Sequence, residues 1–279
     1  MTKKPFLVVI IVASLMVVGL YSLPKGVLSN KEKTSSPKTT GADANKPTQE
    51  NTTSAETHTP TLTAAQEKQV AKARQQYKAA TQKADKVKAI ELLITVFAQV
   101  SRFDSAEYLA EELAGLEPSL KNTVRAGDAY FGAFQFAMDD AKTAKLSQKA
   151  RDWYQKALAQ NPNLLEVKTN LAMTYVSTDT PMQGIMLLRE VLDQDPDFEP
   201  ALFNLGLLSM RSNQFDKAID RFRQILKNNP SNTKALFYMG ISLAETGKKT
   251  EARQALEEVA RKDQDPAVQA AIKETLQKL

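Results

Sequence analysis

The stretch EPALFNLGLLSMRSNQFDKAIDRFRQILKNNP, residues 199–230, decides the fold, because its landmarks return 34 residues away on either side. Small residues recur as Ala172, Gly206 and Gly240, and again as Gly184, Ala218 and Ala252. The bulky partners Leu188, Phe222 and Leu256 keep the same spacing, and Pro162, Pro196 and Pro230 close the units before each. Three units thus run without a gap through residues 165–266. A fixed period of this length predicts an array of helical repeats.

Each unit reads as two helices. The first carries a large residue followed directly by a small one, in Leu171-Ala172, Leu205-Gly206 and Met239-Gly240. Bulk at the small position would block the close crossing of the second helix, an overpacking cost of about 1–3 kcal/mol. The second helix answers with its own small residue and a large apolar one four places on, such as Ala218 and Phe222, which share a face.

The succession Leu202, Leu205, Gly206, Ala218, Phe222 and Pro230 resembles the tetratricopeptide repeat family. Departures from its pattern are Lys168 in a large apolar slot, Ser209 and Leu243 in an aromatic slot, and Gln264 in the proline slot. The resemblance implies an all-α, right-handed superhelical solenoid of antiparallel helix pairs with a C-terminal capping helix. The packing set is Ala172, Gly184, Leu188, Gly206, Ala218, Phe222, Gly240, Ala252 and Leu256.

Composition narrows the chemistry. There is no cysteine among the 279 residues, so neither a disulfide framework nor a thiol nucleophile is available. The single histidine, His58, lies in a threonine-rich stretch. No glycine-rich phosphate loop, Ser/His/Asp set or metal-ligand cluster stands out, and Asp139-Asp140 and Glu257-Glu258 read as solvated faces. The expectation is no enzyme, no cofactor and no metal. A net charge of +5 is too mild and dispersed to indicate nucleic acid.

Two lysines in residues 1–4 precede an uncharged run, Phe6–Leu23, at the lower edge of what spans a bilayer, about 17–25 residues. Residues 5–23 are read as an uncleaved transmembrane signal-anchor, since the apolar core is long and no Ala-x-Ala site follows. A cleaved signal peptide is the rival reading. Lysines on both sides nearly cancel the positive-inside rule. A short basic tail left in the cytoplasm places the rest outside an inner membrane, in a periplasm if the cell has one. Residues 24–62, rich in Thr, Ser, Asn, Lys and Pro, are read as a disordered linker with a reach of roughly 35 Å. Asn51-Thr52-Thr53 fits a glycosylation sequon of little specificity.

The remaining divisions are an N-terminal helix in 63–86, a degenerate repeat in 87–118, and a repeat with about ten extra residues in 119–164. Regular repeats follow at 165–198, 199–232 and 233–266, and a cap at 267–279. Within 63–86 the spacing predicts a helix over Ala64–Lys83 with a thin stripe of Val70, Ala73, Tyr77 and Ala80 that covers the first repeat, and its basic remainder is read as a solvated face in preference to a membrane-surface helix. The extra residues, Phe131–Ser147, are expected to form a lengthened first helix and a longer turn that cover neighbouring apolar surface, with a partner contact at Phe134 or Phe136 as the rival reading.

The resemblance implies that partners bind along the first helices. The face so placed holds Asn170, Met173, Phe203, Asn204, Leu207, Arg211, Lys234, Phe237, Tyr238 and Ile241. Asparagine suits such a groove because it both donates to and accepts from a peptide backbone. Phe203 and Phe237 are the expected apolar anchors. A clamp for a free carboxylate is not implied, because Glu166 and Glu245 oppose Arg211 and Lys234. Two readings stand level: a groove open to a protein or peptide partner, or one filled by the capping helix or a second copy. By layout the chain resembles membrane-anchored bacterial cell-envelope tetratricopeptide proteins. The resulting expectation is a membrane-tethered adaptor in envelope assembly, secretion or maturation. The alternatives are a structural homo-oligomer and a holdase for exported chains.

Overall fold

The computed structural model describes residues 62–100, 106–177 and 180–279, and among these it is all-helical. The order is α1 (Ala64–Ala79), α2 (Lys83–Gln99), α3 (Glu107–Leu116), α4 (Leu120–Gln135), α5 (Asp140–Gln160) and α6 (Leu165–Val176). Then come α7 (Pro181–Gln194), α8 (Glu199–Arg211), α9 (Phe215–Asn228), α10 (Thr233–Glu245), α11 (Lys249–Lys262) and α12 (Pro266–Lys278). Helices pair as successive hairpins, each second helix packs on the first helix of the next pair, and neighbouring first helices also touch. That is a solenoid, and α12 closes its end. No helix among the described residues is long and apolar enough to cross a membrane. The expected anchor Phe6–Leu23, the linker and His58 lie outside the described residues.

The small residues do what their spacing implies. A Cβ on Gly206 would stand 2.7 Å from the Phe222 ring, and one on Gly240 would stand 2.8 Å from Leu256 Cδ2. In the unit before, the glycine has changed helix. Ala172 faces Leu188 from α6, while Gly184 of α7 lies against the α6 backbone, where a Cβ would be 2.4 Å from the Ala172 carbonyl oxygen. Leu188, Ala218, Phe222, Ala252 and Leu256 are all fully buried. Each of these three crossings thus has one glycine and one alanine, and either helix can supply the glycine.

The ends of the hairpins also repeat. Asn213 (φ 55°) and Gly247 (φ 74°), one period apart, take the left-handed conformation after α8 and α10. The Gln214 N–H donates to the Ser209 carbonyl at 2.8 Å, and Lys248 N–H to the Leu243 carbonyl at 2.9 Å. This is a Schellman ending, which satisfies carbonyls that the helix leaves open. Between units, the C-caps of α5, α7, α9 and α11 are Asn161, Asp195, Asn229 and Asp263. Three of these side chains accept the backbone N–H two residues on, at 3.0 Å for Asn161, 3.1 Å for Asp195 and 2.9 Å for Asp263. An Asn or Asp therefore turns the chain beside each proline, and it persists at Asp263 although Gln264 has replaced the proline.

Two expectations require correction. The helix expected over Ala64–Lys83 ends at Ala79, and Lys83 opens α2. One continuous rod would hold the Val70/Ala73 stripe and the Val87, Ile90, Leu93 and Phe97 stripe on a single helix, unable to cover each other. The break folds them into one cluster. Across the turn Lys86 Nζ sits 3.6 Å from the Tyr77 ring centre, and the Tyr77 hydroxyl donates to Glu112 at 2.6 Å.

The extra residues in 119–164 form no long turn. α4 has 16 residues against 13 in α8, and α5 has 21 against 14 in α9. Asp139 caps α5 by accepting the Lys142 N–H at 2.7 Å, so the second helix starts early. Leu146 is buried on the added length, and Ser147 is buried just after it. Phe134 is core at 8% exposure, whereas Phe136 and Met138 are exposed at the tip.

Candidate functional site

The first helices α4, α6, α8 and α10 lie side by side, and the candidate residues fall on them as follows. Asn170, Met173, Phe203, Asn204, Leu207, Lys234 and Tyr238 are half-buried, and Arg211 is exposed. Phe237 and Ile241 are different, only 4% and 8% exposed. They belong to the apolar cluster of Leu256, Val259 and Ile272 that joins α10, α11 and α12. This end of the face is taken by the protein's own packing, so Phe237 is a core residue and not an open anchor. The cap that closes the array needs an apolar surface to sit on, and that surface includes Phe237.

The open part is centred on α8. The Phe203 ring lies 5.7 Å from Phe222 and 5.6 Å from Tyr238, both edge-on, and Tyr238 stacks on Phe222 at 5.9 Å. Buried Phe222 thus fixes both half-exposed rings, and pairs of this geometry add about 0.5–1.5 kcal/mol beyond area burial. Asn204 and Leu207 flank the rings on the same helix. Met173 and Asn170 continue the strip on α6. A strip of fixed apolar rings beside half-exposed amides suits an extended peptide, whose backbone meets amides and whose side chains meet rings.

On α4 the strip becomes polar. Tyr154, fully buried, donates its hydroxyl to Asp128 at 2.8 Å. Burial, with the Asp128 charge beside it, pushes the Tyr154 phenol well above its ordinary value. Arg125 reaches Glu91 of α2 at 3.7 Å. Neither Arg125 nor Asp128 belongs to the sequence-derived set. The signal was present: Arg125 stands two residues before Gly127, as Asn170, Asn204 and Tyr238 stand two before Ala172, Gly206 and Gly240. Counting by 34 residues loses this unit because its hairpin is longer, whereas counting from the glycine finds it. The same glycine marks the same crossing, since a Cβ on Gly127 would stand 2.6 Å from the Tyr154 ring.

At the other end, burial lowers the proton affinity of Lys234, offset in part by Asp263. No carboxylate lies within 4 Å of Lys234 or Arg211 among the described residues. No group of three or more His, Cys, Asp or Glu side chains suited to a metal ion occurs among them either.

Helical hairpins in series, with an accessible strip along their first helices, define a helical-repeat scaffold of the kind that binds other proteins. Residues 209–274 match the family model for the tetratricopeptide repeat. That stretch carries the tetratricopeptide repeat. Among solved structures it is similar to TTC0263, a thermophilic tetratricopeptide repeat protein of Thermus thermophilus. That pair has 14% identity over 64% of this chain and 98% of the other, with a TM-score of 0.49. MamA residues 41 to the end from Desulfovibrio magneticus RS-1 aligns at 17% identity over 65% and 98% of the chains, with a TM-score of 0.48. A further MamA crystal structure aligns at 17% identity over 61% and 94%, with a TM-score of 0.47. No curated protein matches the chain.

Proposed function

We propose that this protein is a non-catalytic adaptor that takes an extended segment of a protein partner along α6 and α8. Residues 5–23 tether it to the inner membrane, and the folded part stands on the extracytoplasmic side. The observation that carries the reading is the half-exposed strip of Asn170, Met173, Phe203, Asn204 and Leu207, which α12 leaves uncovered while it closes over Phe237. The uncharged run Phe6–Leu23, followed by a polar linker, supports the tether. The work implied is the gathering of envelope proteins for assembly, secretion or maturation.

The test is photo-crosslinking in membranes from Asn204 and Leu207, with a probe at Phe237 as the buried control and mass spectrometry of the adducts. One dominant foreign protein from the first two positions supports a dedicated adaptor. Adducts between two copies of the chain would replace this reading with a homo-oligomer. A spread of unrelated exported chains would replace it with a holdase.

A further inference from the structure

We propose that the outward face of α1 is a second docking surface, and that its partner is the anionic headgroup layer of a lipid bilayer. The inference rests on the membrane tether proposed above.

The charge of this chain is unevenly placed. Residues 62–99 carry seven Lys and Arg against three Asp and Glu, whereas residues 100–279 carry 23 against 25. One of the three acids, Glu91, is already paired with Arg125 at 3.7 Å. The apolar stripe of α1 is spent on α2, with Val70 and Ala73 buried, so α1 is not free to insert into a membrane. Its opposite face is what remains. Lys68 and Lys72 are four residues apart and exposed, with Gln75 beside them on that face. Glu67, the only acid of α1, lies about 100° around the helix from Lys68. Neither lysine has a carboxylate within 4 Å among the described residues.

The position fits the chemistry. α1 is the first helix of the array, and the linker that leads to it starts at the end of the uncharged run. Along the chain α1 is therefore the described element nearest the proposed tether. Each lysine brought to an anionic surface favours the docked state about fivefold, while the slightly acidic remainder turns away. A diffuse negative layer, and not nucleic acid, is the better match. The face offers separate ammonium charges without a free arginine fork, and Arg74, the one arginine of α1, lies over the Phe97 ring at 5.5 Å.

The absence of cysteine allows a single fluorophore at Gln75→Cys, with Gln277→Cys at the far end as a control. The full chain is reconstituted into phosphatidylcholine vesicles, or vesicles with added phosphatidylglycerol, both bearing a headgroup quencher. Expected is strong quenching at residue 75 only in the anionic vesicles. Salt at 1 M should remove it, since the screening length falls to about 3 Å. Lys68→Glu with Lys72→Glu should reduce the docked population at least about 25-fold relative to the undocked one, since the loss of each lysine costs about fivefold and the added carboxylates repel the surface. Equal quenching in both lipids, or quenching that survives the double substitution, would overturn the inference. If the chain does not float with neutral vesicles, the tether fails. Flotation with the anionic ones, lost on double substitution, then sustains the docking face, and no flotation overturns it. Binding of RNA without anionic vesicles also overturns it and assigns the face to nucleic acid.

Discussion

The ring of Phe222 fills the space where a side chain on Gly206 would begin, 2.7 Å from the Cβ position. The contact sets the separation of α8 and α9, and because Phe222 also holds Phe203 and Tyr238, it sets the open strip as well. Gly206→Leu should therefore destabilise the fold by about 1–3 kcal/mol, read as a lower midpoint in thermal unfolding. Gly206→Ala should fall between the two. An unchanged midpoint for the leucine variant would remove the crossing role assigned to Gly206.

Phe203 and Phe237 should separate. Phe237→Ala removes a buried ring from the cluster under α12 and should cost about 3–5 kcal/mol of stability. Phe203→Ala, half-exposed, should cost clearly less and should weaken partner capture instead. Denaturant unfolding beside a crosslinking yield from Asn204 distinguishes the two. Equal stability loss in both variants would show that the strip is closed in solution.

Lys234 carries a charge that burial disfavours. Lys234→Met keeps the length, drops the ammonium, and should raise stability by up to about 1 kcal/mol, with solvent screening limiting the gain at a half-buried site. If the partner offers a carboxylate there, capture weakens at the same time. A variant less stable than the parent would mean that Lys234 is held by a pairing of its own.

Glu111 gives a pH dependence. Burial works against its charge, but hydrogen bonds from Lys149 at 2.8 Å and from the Tyr130 hydroxyl hold its carboxyl below the ordinary glutamate value of 4.5. With the folded value depressed, the stabilisation is present above about pH 4.5 and is lost as pH falls through the folded value. Glu111→Gln should be less stable than the parent at pH 7, by no more than about 1 kcal/mol for this partly exposed pair. The gap should narrow in acid. A gap independent of pH would assign the loss to packing.

Asn213 tests the hairpin ending. Asn213→Val places a β-branched residue in the left-handed region and should cost about 1–2 kcal/mol. Asn213→Gly should be neutral or slightly stabilising, as Gly247 serves at the equivalent turn. Thermal unfolding of the pair decides it.

The repeat register was legible in the sequence because it rests on volume. Ala172, Gly206 and Gly240 must be small, and no neighbour can relieve that demand. The break after Ala79 carries no glycine or proline to announce it. It arises because two apolar stripes must face each other, a tertiary demand that overrides local propensity. The strip of half-exposed residues was legible in part. The positions follow from the register, but which of them stay open depends on where α12 lies, and no periodicity within a repeat encodes that. Phe203 and Phe237 hold the same slot in the sequence and different surroundings in space.

The longer hairpin of α4 and α5 shows what lengths this architecture accepts. From Gly127 to Tyr154 the chain runs 27 residues, against 16 from Gly206 to Phe222. The seven residues added to α5 turn the helix by about 700°, close to two whole revolutions, so Tyr154 returns to the glycine it must cover. Adding a single residue would swing that ring about 100° out of phase. The second helix of this hairpin has thus grown by close to whole pitches of a screw thread, while three residues in α4 and one in the turn supply the rest of the added length. A unit lengthened in this way gains a projecting tip, with Phe136 and Met138 at its end, while its neighbours keep their seats.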